Sequence, residues 1–170
     1  MKSSPQAGSR KPTTVLFVCH ANTSRSIMAE TLLRHMLQER GLDRSIKVHS
    51  AGVAPFARDG ALVSLDTRFA LRDHGIELAD GKTSTALRRN LHLLEAADLV
   101  LAMTAEQKAL VARFPQAATK PIYTLGEFAG DGGDIADPAS RDESFFRDTC
   151  ALIKEELQKA LPRLLEAASA

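Results

Sequence analysis

The chain has 170 residues, 44% of them hydrophobic and 25% charged, and 22 basic against 21 acidic residues leave a net charge of +1. That length points to one domain, large enough to bury about 70% of its unfolded surface without a disulfide or metal staple. The even balance supplies no global field for nucleic acid or a membrane surface, so neither is expected as a partner.

The first twelve residues carry Ser3, Ser4, Pro5, Gly8 and Ser9 and no apolar stretch. Residues 1–12 are therefore expected to be a disordered lead-in rather than a signal or anchor, with a single domain over 13–170. Thr13 to Val18 (TTVLFV) is a continuous β-branched and aromatic run, the pattern of a strand buried on both faces. A helical pattern follows over about Ser26 to Arg40, where Met28, Leu32 and Met36 repeat at i, i+4 and Gly41 marks the stop.

Ile46 to Ser50 reads as a second strand, and Ala51 to Gly60 as a loop. Helices are expected over Leu62 to His74, closed by Gly75, and over Ser84 to Ala97. Asp98 to Met103 (DLVLAM) is a third strand. Thr104 with Gln107 has capping-box spacing and opens a helix that ends near Phe114 and Pro115. Pro121 to Leu125 is the fourth strand, Gly126 to Ser140 a loop rich in glycine and aspartate, and Arg141 to Leu161 the last helix, which Pro162 should kink or restart. No apolar run is long enough to span a bilayer.

Strands alternating with helices imply an α/β fold, a four-stranded parallel sheet flanked by helices on both faces. Ligands of such sheets bind at the carboxyl ends of the strands, by a switch point in strand order. The loop after the first strand is the place to look. It reads Cys19-His20-Ala21-Asn22-Thr23-Ser24-Arg25-Ser26, between a buried strand and a helix start. Such a loop can turn backbone N–H groups inward, with a helix dipole behind them, and hold an anion. The same environment stabilises a thiolate, and the planar fork of Arg25 can grip two phosphoryl oxygens. An arginine six positions after a cysteine is common by chance; its placement makes it specific. The plainer reading of Cys19, a small buried hydrophobe, leaves Arg25 and the loop unexplained.

Cys19 to Glu30 (CHANTSRSIMAE) resembles the signature of the low-molecular-weight protein tyrosine phosphatases, Cys-x-Gly-Asn-x-Cys-Arg-Ser-Pro-Met-Ala-Glu. The resemblance extends through Ser50-Ala51-Gly52, the run Ala97 to Met103 and the pair Asp137-Pro138, over nearly the whole chain after residue 12. It implies a protein phosphatase acting on phosphorylated protein substrates, with no cofactor. Cys19 would be the nucleophile, Arg25 the phosphate clamp and Asp137 the general acid, with His20, Ala21, Asn22, Thr23, Ser24 and Ser26 lining the substrate's phosphate. There are three departures. Ala21 stands where the family has glycine, which would cost about 1 kcal/mol if that position needs φ > 0. Ser24 replaces a second cysteine, and Ile27 replaces a proline.

Asp137 follows Asp131 and Asp134 in a glycine-rich segment; the glycines would let that loop close, and the two earlier aspartates read as solvated turn residues. Asn22 is the type that best tolerates a left-handed conformation. Ser26 can cap the helix; the resemblance implies that its hydroxyl also stabilises the Cys19 thiolate, and both roles can hold together, with Ser50 a candidate support. The histidines His35, His49, His74 and His92 show no ligand spacing, so no metal is expected. Cys150 reads as a packed thiol.

Tyrosine-directed members usually carry an aromatic just after the Asp-Pro pair; here Ala139 and Ser140 follow, so Phe56 or Tyr123 would have to supply one. Thr23 resembles the protein-arginine phosphatases of the family, where tyrosine phosphatases commonly have isoleucine. Phosphotyrosine and phosphoarginine therefore both stand as substrates. The alternatives are an inactive phosphate-binding module, a phosphocysteine carrier, and an arsenate reductase of the same fold, whose disulfide relay would need more cysteines than Cys150 alone.

Overall fold

The structure is a computed structural model that describes residues 11–139 and 141–169. Its centre is a parallel sheet of β1 (Thr13–Cys19), β2 (Ile46–Gly52), β3 (Leu99–Ala102) and β4 (Ile122–Thr124), in the order β2-β1-β3-β4. Helices α1 (Arg25–Glu39), α2 (Leu65–Arg72), α3 (Leu91–Ala96), α4 (Ala105–Ala112), α5 (Leu125–Ala129) and α6 (Glu143–Ser169) cover it. The expected lead-in lies outside the described residues except for Lys11 and Pro12, which precede β1 without regular structure.

The continuous apolar run of β1 works as two alternating sets. Val15, Phe17 and Cys19 face a core shared with α1, α5 and α6, whereas Leu16 and Val18 face a second core with Leu94 and Val111 from α3 and α4. Both sets are fully or almost fully buried, which is why no polar alternation appears in the sequence. From β1 the chain steps outward to β2, then returns to the other side of β1 for β3. The switch point therefore sits at the carboxyl end of β1, where Cys19 ends the strand.

Four expectations need correction. The helix over 62–74 is only α2, because Leu62 pairs with Thr83 in an isolated bridge. In place of a helix over 84–97, Ser84 to Ala86 run extended beside the end of β2, and only a short 3₁₀ turn and α3 follow. Tertiary bonds hold that stretch: Gly52 N–H donates to Thr85 O at 2.8 Å, and Ala86 N–H to Asp59 Oδ1 at 2.8 Å. The expected loop from Gly126 begins instead with α5, opened by a capping box of Thr124 and Glu127. Finally, α6 continues through Pro162 to Ser169. Pro162 and Gln158, whose carbonyl loses its helical donor, are exposed to water, while Leu157, Leu161 and Leu164 hold the apolar face in the core.

Candidate active site

The loop from Cys19 to Arg25 is fastened before any substrate arrives. Val53 N–H donates to Cys19 O at 2.9 Å and Ala54 N–H to His20 O at 3.0 Å, so the chain leaving β2 braces the loop from behind. The approach requires Gly52, since a Cβ there would lie 2.7 Å from His20 O and 2.8 Å from the carbonyl carbon of Ala21. On the other flank Ser64 N–H donates to Thr23 O at 3.2 Å.

Asn22 is the hinge of the loop. It carries φ of +62°, the one positive φ at a non-glycine among the described residues, so Ala21 escapes the strain that a left-handed position would impose. Its buried amide donates to Ser26 Oγ at 2.8 Å and Ser50 Oγ at 2.9 Å, and its Oδ1 accepts from Thr85 N–H at 2.8 Å. Ser26 Oγ, which accepts from Asn22, keeps its proton free to donate to Cys19 Sγ at 2.8 Å. Asn22 N–H adds a second donor to the sulfur at 3.3 Å. Donors converging on one sulfur stabilise negative charge there. No hydrogen bond inside the protein engages the N–H groups of Ala21, Thr23 or Ser24 among the described residues, which leaves them free for an anion. Ser26 lies inside α1 and does not cap it; the N-cap is Ser24, whose side chain makes no capping bond.

The chain of donors continues away from the sulfur. Ser50 Oγ donates to Glu30, a buried carboxylate compensated by Arg34 at 3.0 Å and Lys82 at 3.1 Å. Glu30, Lys82, Thr85 and Gly52 are site-shaping residues that sequence reasoning assigned no role. Glu30 lies within the quoted signature, but Lys82 and Thr85 reach the site across 52 and 63 positions, which no local pattern could show.

Arg25 is buried, and its guanidinium donates to Ile135 O at 2.7 Å and stands 3.6 Å from Asp137 Oδ2. This brings together the two ends of the expected site, 112 positions apart in numbering from Arg25 to Asp137. Ile135 is itself a core residue, and its N–H donates to Met103 O at 2.9 Å. The glycine-rich segment is a compact turn: the N–H groups of Gly130, Asp131 and Gly132 all converge on Gly126 O. The expected glycine hinge is therefore built as an anchor, and only beyond Ile135 does the chain project outward, with the Asp137 side chain 49% exposed.

The other aspartates have different work. Asp134 accepts from Ala105 N–H at 3.1 Å at the start of α4, and Asp131 pairs with Lys159 at 3.2 Å. They are structural contacts rather than merely solvated turn residues. His20 sits at the rim, 3.7 Å from Glu106 and with its ring 6.4 Å from that of Phe56. Tyr123 packs against Phe128 and Arg163, so of the two proposed aromatics only Phe56 stands beside the loop. Cys150 is buried in α6, where desolvation first and then Asp73 push its thiol up to about 12, an inert group at neutral pH. Among the described residues no group of three or more His, Cys, Asp and Glu side chains is placed to hold a metal ion.

A parallel α/β sheet that presents a thiol, a free N–H loop and a buried arginine at its switch point defines a cysteine-dependent phosphatase. The model of the low molecular weight phosphotyrosine protein phosphatases matches residues 14–169. A protein-arginine-phosphatase of Geobacillus stearothermophilus is 39% identical over 91% of this chain and 95% of its own. A probable low molecular weight protein-tyrosine-phosphatase, EpsP, of Ralstonia nicotianae is 30% identical over 89% and 95%. Among solved structures, a YwlE arginine phosphatase mutant with a phosphorylated active-site serine superposes with a TM-score of 0.79, at 32% identity over 89% of this chain and 95% of that one. The chain belongs to the low molecular weight phosphotyrosine protein phosphatase family.

Proposed function

We propose that this phosphatase removes the phosphoryl group from phosphoarginine side chains of proteins, with Cys19, Arg25 and Asp137 as the reacting machinery. The observation that carries the reading is the sulfur of Cys19 receiving two donors at the mouth of a loop whose remaining N–H groups are free. In the first step the Cys19 thiolate attacks phosphorus as the bond to the leaving nitrogen breaks, and protonated Asp137 gives that nitrogen its proton. The equatorial oxygens lie against the loop N–H groups and the fork of Arg25, where the developing charge is met without reorganisation. In the second step Asp137 takes a proton from water, which attacks the phosphocysteine and releases phosphate and the thiolate.

Two features favour phosphoarginine. The arginine phosphatase relative carries the higher identity of the two named above, and Thr23 offers a hydroxyl at the loop rim where a tyrosine-directed site would offer hydrocarbon. Phosphotyrosine is the second reading, favoured by the exposed Phe56 ring beside His20, which can stack on a phenol. Two free thiols, Cys19 and Cys150, favour work in the cytoplasm.

The test is a comparison of kcat/KM on matched phosphoarginine and phosphotyrosine peptides, for wild type and Thr23→Ile. Wild type is expected to prefer phosphoarginine, and Thr23→Ile to shift the ratio towards phosphotyrosine. A ratio unmoved by the substitution would remove Thr23 from the account of specificity.

A further inference from the structure

Four of the five large apolar side chains exposed among the described residues fall within residues 56–69: Phe56 (69%), Leu62 (81%), Leu65 (68%) and Phe69 (40%). Single exposed apolar residues are ordinary, but a cluster marks a surface that something covers. This one adjoins the phosphate loop. Ser64, between Leu62 and Leu65, donates its N–H to Thr23 O, and the Thr67 hydroxyl reaches the same carbonyl at 3.4 Å. On the opposite flank Phe56 stands beside His20. The apolar strip therefore runs up to the loop on the Thr23 side and resumes on the His20 side.

Leu62 and Leu65 also line a groove of about 420 Å³ between α2 and the segment that follows it. Both of its arginines are engaged: Arg68 donates to Leu78 O and Ala79 O, and Arg72 pairs with Glu77 at 2.7 Å. Of the charged side chains lining the groove, only Asp80 lacks a partner among the described residues. Two arginines stand against Glu77 and Asp80 in its lining, so the groove offers apolar contact without a net charge.

We propose that this strip receives the substrate's own polypeptide, with apolar side chains flanking the phosphorylated residue seated on Leu62 and Leu65 while the phosphoryl group enters the loop. The proposal rests on the phosphatase reading above and extends it to the substrate class: proteins phosphorylated within apolar sequence. Continuity with the loop selects this occupant, because a phosphorylated side chain that reaches Cys19 brings its neighbours to the surfaces bordering the loop, and this strip borders it at Thr23.

The experiment uses the full chain and a Leu62→Ser, Leu65→Ser double variant, with a thermal melt to confirm that both are folded. Three substrates are compared: a small aryl phosphate with no polypeptide, and two phosphopeptides differing only in leucine or serine beside the phosphorylated residue. Wild type is expected to favour the leucine peptide by about tenfold in kcat/KM, the low end of what apolar pocket contacts discriminate. The double variant should lose that preference through a raised KM, while its rates on the serine peptide and the aryl phosphate match wild type. A wild type that turns over the aryl phosphate but ignores the flanking residue overturns the docking proposal alone. So does a preference that survives the double substitution. A wild type inactive on all three substrates defeats the phosphatase reading, and the docking proposal with it. Sedimentation that shows a wild-type dimer dissolved by the double substitution assigns the strip to a second copy of this chain and also overturns it.

Discussion

The two halves of the proposed site, the loop around Cys19 and the segment bearing Asp137, are built in opposite ways. Around Cys19 the side chains of Asn22, Ser26 and Ser50 are buried and mutually satisfied in one chain of hydrogen bonds that ends on a compensated carboxylate. Asp137 instead projects beyond the anchor at Ile135, and its contact with Arg25 is long, at 3.6 Å. Ala139 N–H donates to its other oxygen at 2.9 Å, a local turn rather than a tie to the core. Charge must be met at the nucleophile whatever the substrate, so a fixed environment serves there. A proton donor has to meet leaving groups of different shape, and an exposed carboxyl can adjust to them.

Removing one member from each half separates these roles. Asp137→Ala is expected to lower kcat by about 10² to 10⁴-fold on leaving groups that need a proton, and far less on aryl phosphates whose phenol is acidic. Asn22→Ala is expected to cost about 10²-fold, the scale of one misaimed charge-stabilising donor, because Ser26 loses the amide that orients its hydroxyl towards Cys19; the loss should depend little on the leaving group. It should also lower the melting temperature, because Thr85 N–H loses its buried acceptor. Asp134→Ala, which loosens the start of α4, is the control; if it costs more turnover than Asp137→Ala, the wrong carboxylate has been assigned.

Oxidation sharpens the contrast on the nucleophile's side. With Ser24 in the loop and the Cys150 thiol held up at about 12, a sulfenic acid at Cys19 has no effective resolving thiol. Peroxide should therefore inactivate the protein in a way dithiothreitol only partly reverses, and Ser24→Cys should restore recovery. A Cys19 to Cys150 disulfide in the mass spectrum would contradict this.

The smallest effect concerns the anchor of the acid's loop. Glu156 is buried, its Oε2 has no hydrogen-bond partner among the described residues, and burial first, then Asp131, push its carboxyl above the ordinary range. A raised carboxyl favours the protonated folded state, so its stabilising effect is lost as pH rises through that higher value. Glu156→Gln, neutral at every pH, should melt above wild type at about pH 8 and converge with it towards about pH 4. A gap that widens on acidification would show that Glu156 acts as a paired anion instead.

Local chemistry reads directly from sequence, and long-range contact does not. The strand ending at Cys19, the left-handed tolerance of Asn22 and the capping box at Thr104 each sit within a few residues, and each is present in the structure. The capping box at Thr124 and Glu127 had the same spacing and could have revealed α5 inside the expected loop. By contrast, the extended run through Ser84 and Ala86 overrides a helical pattern through bonds to Gly52, Asp59 and Asn22, all distant in the chain. The same holds for Glu30 with Lys82, and for the anchoring of Ile135 by Arg25.

The central claim is that Cys19 carries the phosphoryl group between the two steps. Rapid quench of the Asp137→Ala protein with a chromogenic aryl phosphate, followed by peptide mass spectrometry, tests it directly. The account expects a phosphoryl group on the peptide containing Cys19, formed as fast as the first burst of phenol and lost in Cys19→Ala along with turnover. Phosphate on another residue, or a full burst with no phosphoenzyme, would contradict it.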